Sequence, residues 1–259
     1  MGHPGRRSLV AGVKPLALAV LGLTFACRMA LAEAAAVSLI FPPPLTPEVQ
    51  ALPRLVATTA ATDRINAQLS QLDARELSWA SGYNSDPPRT YVARGVDIVF
   101  AGPRYLGLLT LNESFCQGAA HGADFAMPLT FDLATGAVVN WPDLFPPLLQ
   151  DPVRRPHQTD YIIGAGQLTS LYLSRATDMD AECRAAVADD NNGYFRVWPS
   201  ALDRGLVLLP TGLPYSNQAC ADPVMFPAAL LRREGFPQTL ISALVDPAPL
   251  PHFSSTPVP

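Results

Sequence analysis

The sequence predicts an α+β fold, with a mainly antiparallel sheet and two principal helical segments packed on it. Strand-like segments are grouped around the helical patterns, without the strand–helix–strand alternation that a parallel sheet requires. The turns Ala101-Gly102-Pro103 and Ala134-Thr135-Gly136 each separate two β-rich segments, a pattern typical of antiparallel hairpins. A hydrophobic content of 49% indicates a substantial core.

The first 32 residues are predicted to be a secretion signal. A basic start, an apolar stretch and a small-residue cleavage site follow one another at 6–14, 15–27 and 30–32. The apolar stretch, about 13 residues long, is shorter than the ~20 residues that cross a bilayer. Two alternatives remain: a lipid anchor on Cys27 and an uncleaved membrane anchor. We expect a periplasmic or secreted mature chain without an integral span.

The mature chain is predicted to be acidic. The whole chain has 18 basic and 22 acidic residues; four of the basic residues and none of the acidic ones precede residue 33, which leaves a net charge of −8. An acidic chain without a basic cluster argues against nucleic-acid binding and favours a cationic partner. Neither a P-loop nor a G-x-G-x-x-G motif occurs, so no nucleotide or other cofactor is predicted.

Three cysteines remain after the signal: Cys116, Cys183 and Cys220. In an oxidising compartment, one disulfide and one remaining thiol is the expected outcome. Cys183 lies at the end of a helical pattern and Cys220 in a loop before a strand. We therefore predict a Cys183–Cys220 disulfide and a buried thiol at Cys116.

The first half of the mature chain is predicted to contain one helix and several strands. The helix has Thr62 or Asp63 as its cap, because Ile65, Leu69 and Leu72 then share one face. The strands alternate in part between apolar and polar residues and are bounded by turn residues. They cover 36–41, 91–100, 105–115, 125–133 and 137–141.

The second half is predicted to begin with a long helical segment over 160–188, with one break. The polar run 189–193 then forms a turn that ends the helix. It resembles a calcium loop, but loop positions 1 and 12 would be Ala188 and Pro199, which excludes an EF-hand. Three further strands and a helical turn complete a single domain over 33–245, followed by a disordered proline-rich tail. These elements cover 194–198, 205–209, 224–226, 227–233 and 246–259.

His121 is the candidate for catalytic chemistry, because it follows the small-residue turn 118–120 and lies close to Asp124. Alternatively, its ring bonds backbone groups and stabilises the hairpin. No second ligand stands at metal-binding spacing, so no metal site is predicted. Seven aromatic residues could line a carbohydrate cleft or, as we favour, pack in the core and at its rim. They are Tyr83, Tyr91, Tyr105, Trp141, Phe145, Trp198 and Tyr215.

One segment resembles a known family. Its signature runs G-G-A-H, F-D-x-x-T-G and D-L-F, and the matching residues are Gly118, His121, Phe131, Asp132, Thr135, Gly136, Asp143, Leu144 and Phe145. This resembles a bacterial extracytoplasmic domain of unknown function (RsiV-like). The domain is shared by the lysozyme-sensing anti-sigma factor and the N-terminal region of a peptidoglycan deacetylase. The resemblance covers roughly residues 36–235 and implies an α+β binding module; Ala119 departs from the family's usual glycine.

From these features we expect a non-enzymatic binding module of the cell envelope. Its partner would be a cationic protein, such as a lysozyme, or a peptidoglycan fragment. The alternative is a cell-envelope hydrolase that uses His121 with Asp124. The resemblance concerns this domain alone, so it carries neither sigma-factor regulation nor deacetylation. No oligomeric state is predicted.

Overall fold

A computed structural model describes residues 37–83, 90–116, 122–154, 156, 161–248 and 250. The predicted signal segment, Gly118 and His121 lie outside these residues. Five α-helices occur in the described part of the chain. They are α1 (Ala60–Tyr83), α2 (Gly166–Arg175), α3 (Ala181–Asp189), α4 (Ala228–Arg233) and α5 (Gln238–Val245). Helices α1 to α3 fall in the two predicted helical segments, α4 matches the predicted helical turn at 227–233, and α5 is additional.

Every pair of neighbouring strands in the sheets of the described residues is antiparallel. Together with the helices, this confirms the predicted α+β class. The strands are β1 (Leu39–Ile40), β2 (Arg54–Leu55), β3 (Thr90–Ala101), β4 (Tyr105–Cys116), β5 (Ala123–Asp132), β6 (Ala137–Val138), β7 (Tyr161–Ile163), β8 (Tyr194–Ser200), β9 (Gly205–Pro210) and β10 (Val224–Pro227). They form a β1–β2 pair and two four-stranded sheets. The first sheet has the order β3-β4-β5-β6, and the second has the order β10-β9-β8-β7.

Helix α1 begins before the predicted cap. The Oγ1 of Thr59 accepts a hydrogen bond from the Thr62 amide at 3.1 Å, and the Thr62 Oγ1 accepts one from the Thr59 amide at 2.8 Å. This reciprocal pair satisfies two amides at the helix start, as a capping box does. Thr62 is therefore the inner member of the box, and the helix starts at Ala60.

One face of the first sheet packs against α1. Ile65 and Leu69 of the helix are fully buried with Val96, Leu108 and Phe131 of the sheet. The Asn66 side chain bonds both backbone groups of Leu55: its Oδ1 accepts from the amide at 2.9 Å and its Nδ2 donates to the carbonyl at 3.0 Å. The helix thereby holds the β1–β2 pair beside the same core.

A buried ionic network fixes the segment before β2 to α1 and β3. The Asp73 carboxylate receives hydrogen bonds from Arg94, from Arg54 at 2.6 Å and from the Leu52 amide at 3.2 Å. Arg94 also donates to the Gln50 carbonyl, at 2.6 and 3.0 Å. All of these groups donate to the Asp73 carboxylate, and two of them are cationic guanidinium groups. They therefore offset the cost of burying the negative charge of Asp73.

The second sheet covers part of the other face of the first sheet. Gly107 allows this close approach, because a Cβ there would lie 3.1 Å from the Pro199 ring of β8. The Ala201 amide also donates to the Val99 carbonyl at 2.8 Å. A separate core, rich in Phe and Leu, fills the space between the second sheet and helices α2 to α5.

The predicted Cys183–Cys220 disulfide is confirmed; it joins α3 to the 3-10 turn Tyr215–Cys220. The prediction of a buried Cys116 is wrong, since this residue is a free, exposed cysteine. The nearby core ends at Val92, which pairs with Ser114, two residues before Cys116. The last residue of β4 therefore extends beyond the packed part of the sheet.

The predicted helical segment over 160–188 is partly wrong. Its first residues form β7, and the predicted break separates α2 from α3. The turn after α3 is confirmed: Asn192 and Gly193 have positive φ, and the buried Asn191 side chain bonds the Gly212 amide and the Tyr194 carbonyl. Helix α5 was not predicted, although Leu240, Ile241 and Leu244 anchor it in the core.

Part of the predicted tail is attached to the fold. The Ala248 amide donates to the Ala101 carbonyl at 2.7 Å, and Leu250 packs beside the α1 core. Residues 249 and 251–259 lie outside the described part of the chain.

Candidate functional site

The motif residues that the structure describes support the fold. Phe131 is fully buried, and the Asp132 carboxylate accepts bonds from Arg104 at 2.7 Å and from the amides of Ala134 and Thr135. Gly136 has a φ of 73°, and a side chain there would collide with the Ala61 carbonyl of α1. This hairpin is therefore built to receive the start of α1, and its polar groups are already used.

The Asp143-Leu144-Phe145 part of the motif borders a groove of about 760 Å³ lined largely by prolines. Phe145 is buried edge-on against Phe236, with ring centroids 4.8 Å apart. Gln150 donates to the carbonyls of Pro142 and Phe145, at 2.9 and 2.6 Å. Because this polar side chain holds the loop, the groove is better explained as a consequence of loop packing than as a binding site.

The carboxylate of Asp151, at the edge of this groove, already has hydrogen-bond donors. It accepts bonds from the backbone amide and the guanidinium of Arg154, both at 2.8 Å, and from the Val153 amide. These bonds lower the pKa of Asp151 to about 2. The carboxylate thus stays ionised and serves the turn.

The part of the first sheet that the second sheet leaves uncovered carries a different kind of surface. We call it the open face. It comprises the exposed residues Tyr91, Asp97, Leu111, Glu113 and Asp124. Strand register places all five side chains on the side of the sheet opposite α1. No basic residue of β3, β4 or β5 shares that side.

The open face combines apolar and acidic groups. Leu111, on the strand between β3 and β5, is 47% exposed. Tyr91 stacks on Phe115, with ring centroids 6.1 Å apart. Glu113 and Asp124 are directly opposite each other in the β4–β5 ladder. Side chains in such positions start about 5 Å apart, and two like charges there destabilise the pair.

A cleft separates this face from the second sheet. One part, of about 480 Å³, lies between Glu113 and Asp124 on one side and Trp198 and Leu209 on the other. A second part, of about 260 Å³, continues along β5 past Arg196. Asp124 borders both parts, so the acidic pair lies where the open face meets the cleft.

Arg196 crosses the cleft from β8 and holds the two sheets together. It donates to the Ala126 carbonyl of β5 at 2.6 Å and to the Tyr161 hydroxyl at 2.9 Å. Its guanidinium also lies 5.1 Å from the centre of the Tyr161 ring. These contacts give Arg196 a structural role at one end of the cleft.

The predicted catalytic pair is only half described, because His121 lies outside the described residues. Asp124 is exposed in the cleft, where it faces Glu113, a residue that sequence reasoning did not select.

The Asn112-Glu113-Ser114 pattern fits a glycosylation sequon, but the Asn112 side chain is buried and donates to Glu76 at 3.3 Å. Burial raises the pKa of Glu76.

The aromatic residues mostly pack in the core, as favoured above. Tyr105, Trp141, Phe145 and Trp198 are buried, whereas Tyr91 and Tyr215 are exposed. Within the described part of the chain, no group of three or more metal-binding side chains occurs, and no helix is long and apolar enough to cross a membrane.

No protein-family model matches the chain, and no curated protein matches it either. Among solved structures, the chain is similar to a member of the DUF3298 family from Bacteroides fragilis NCTC 9343. The TM-score is 0.51 at 12% identity, over 74% of this chain and 86% of that chain. At this identity the likeness concerns the fold, and the chain therefore has the fold of an uncharacterised α+β domain.

Proposed function

We propose that the mature chain is a non-enzymatic, extracytoplasmic binding domain whose open face holds a cationic protein of the lysozyme type. The observation that carries the proposal is the open face itself. It presents three carboxylates around an exposed leucine and an aromatic pair, and its strands contribute no basic side chain to that side.

The composition of this surface suits a basic protein. Exposed apolar groups supply contact area, while complementary charge steers a partner and fixes its orientation. The unfavourable Glu113–Asp124 pair supports the same conclusion, because a cationic side chain placed between the two carboxylates would relieve their repulsion.

Three further features support the setting and the partner class. A disulfide is compatible with an oxidising compartment outside the cytoplasm. The first 32 residues have the pattern of a secretion signal. The RsiV-like resemblance of the motif segment associates the domain with lysozyme recognition. A peptidoglycan fragment is the second ligand that this setting suggests.

The test is a calorimetric titration of the mature protein with lysozyme and, separately, with peptidoglycan fragments. The decisive variant combines Glu113→Arg and Asp124→Arg. Since an exposed ion pair contributes roughly 0.2–1 kcal/mol and reversal adds repulsion, we expect lysozyme affinity to fall about tenfold or more. The control combines Glu182→Arg and Asp189→Arg, exposed positions on α3 with the same change in net charge. Absence of binding to both ligands would reject the proposal.

The competing hypothesis is a hydrolase, which the position of Asp124 in the cleft favours. It requires His121 as the partner of this carboxylate. Peptidoglycan and ester hydrolysis by the wild type and His121→Ala separates the two functions. We expect no hydrolysis that depends on His121; a loss of measurable activity in the variant would overturn the non-enzymatic assignment.

A further inference from the structure

We propose that the outer edge of β5 at Asp124 and Ala126 binds an extended segment of the partner as an added strand. A Lys or Arg side chain of that segment would lie against Asp124 and Glu113. The inference rests on the proposed function, because the occupant belongs to the same cationic protein, and it names the mode of binding.

Two other outer strands of the sheets, β3 and β7, already have backbone partners on their outer sides. On β3, the Arg94 amide donates to the Glu48 carbonyl at 3.0 Å, and the Arg94 carbonyl accepts from the Gln50 amide at 2.9 Å. On β7, the Ile163 carbonyl accepts from the Asp151 amide at 2.8 Å. Natural sheets cover or block such edges because an uncovered edge is a template for another strand.

Strand β5 is covered only at its C-terminal end, where β6 pairs with Phe131 and Asp132. The carbonyls of Thr130 and Asp132 accept bonds from Val139 and Gly136, so their backbone groups point away from β4. Alternation places the backbone groups of Asp124 and Ala126 on the same side. Among the described residues, neither of these two amides has a backbone hydrogen-bond partner outside the β4–β5 ladder.

Two features limit the length of this free edge. Pro128 occupies the next outward position and has no N–H to offer. Arg196 already occupies the Ala126 carbonyl. The available groups are therefore the amides of Asp124 and Ala126 and the Asp124 carbonyl. They allow a short segment to pair with β5 near its N-terminal end.

The surroundings of the free edge suit an extended peptide. The cleft beside it has a volume of about 260 Å³ and includes Leu213 and the polar side chains of Thr211 and Gln218. Backbone pairing supplies affinity in strand addition, and the pockets beside the strand select side chains. The charged residues that line this cleft are Asp124 and Arg196, and Arg196 already bonds the Ala126 carbonyl and the Tyr161 hydroxyl. Glu113 lies beside Asp124 in the adjoining part of about 480 Å³, so the two carboxylates together select a cationic side chain.

The test uses the mature protein and the peptide acetyl-Val-Arg-Val-Arg-Val-amide as the probe. Hydrogen exchange followed by NMR measures the amides of Asp124 and Ala126 with and without the peptide. We expect both to exchange at least tenfold more slowly when the peptide is bound. The Phe125 amide, which already points towards β4, serves as the internal control and should not change.

A pair of variants tests the same claim by affinity. Ala126→Pro removes one outward amide without breaking the β4–β5 ladder, as Pro128 already does two residues away; Ala126→Val keeps the amide. We expect the proline variant to bind the peptide and lysozyme at least tenfold more weakly than the valine variant, which also enlarges the side chain but keeps the amide. Equal affinities of the two variants would overturn strand addition.

The outcomes separate this inference from the proposed function. If lysozyme binding depends on Glu113 and Asp124 but the two amides exchange at unchanged rates, strand addition is wrong and the proposed function stands. Failure of the peptide to bind would also overturn strand addition. If lysozyme and peptidoglycan fragments both fail to bind the wild type, the proposed function itself is wrong.

Discussion

Replacing the buried Asp73 with alanine should lower the free energy of unfolding more than replacing any exposed acidic residue with alanine. Asp73 is the shared acceptor for Arg54, Arg94 and the Leu52 amide, and the Arg94 side chain is only 3% exposed. Removing one partner of a buried ion pair leaves the other charge uncompensated, which costs about 3–5 kcal/mol. For a domain of this size, a loss of that magnitude lowers the melting temperature by roughly 6–20 °C.

Urea and thermal unfolding, followed by circular dichroism, measure this cost. Asp63→Ala is the control, because Asp63 is an exposed acid in the first turn of the same helix and contributes less than about 1 kcal/mol. A double variant, Asp73→Leu with Arg94→Met, removes both buried charges. It should be less destabilised than Asp73→Leu alone, because Arg54 is 22% exposed and keeps its bonds to backbone carbonyls.

A loss below about 1 kcal/mol for Asp73→Ala would refute this reasoning, because it would mean that Arg94 finds adequate partners without the carboxylate. Equal destabilisation of the double variant and of Asp73→Leu would refute it in a different way. In that case the two residues would contribute by packing and not by charge.

Two further predictions concern the disulfide and a half-buried acid. Replacing Cys183 and Cys220 with serine should cost about 4 kcal/mol, because the bond closes a loop of 37 residues in the unfolded chain; an unchanged urea midpoint would contradict this. The raised pKa of Glu76 means that the folded state binds its proton more tightly, so stability from this group is lost as pH rises through the folded pKa. Glu76→Gln should therefore be more stable than the wild type at neutral pH and equally stable below about pH 4, as pH-dependent urea unfolding would show.

The hairpins could be predicted from the sequence because their signals are local. Gly136 marks a turn that only a residue tolerant of positive φ can occupy, and the segments around it alternate over short distances. The disulfide followed from simple pairing logic. By contrast, β7 is a strand of three residues, and its identity depends on pairing with β8. A short apolar run of this kind does not distinguish strand from helix.

The acidic pair of the candidate site could not be derived in the same way. Glu113 and Asp124 are opposite each other only because of the register of β4 and β5, and a shift of one residue would move one carboxylate to the α1 side. The Asp73–Arg94 contact joins residues 21 positions apart and depends on how α1 lies on the sheet. Asp124 was chosen as a candidate because it is close to His121 in the sequence. In the structure its neighbour across the strands is Glu113.

The central claim is that the open face binds a cationic protein, and a lysozyme titration against three forms of the mature chain tests it most directly. We predict measurable binding by the wild type, at least tenfold weaker binding by Glu113→Arg/Asp124→Arg, and nearly unchanged binding by Glu182→Arg/Asp189→Arg. Equal loss in the two double variants would show that only net charge matters. Undiminished binding by the Glu113→Arg/Asp124→Arg variant would contradict the assignment of the open face.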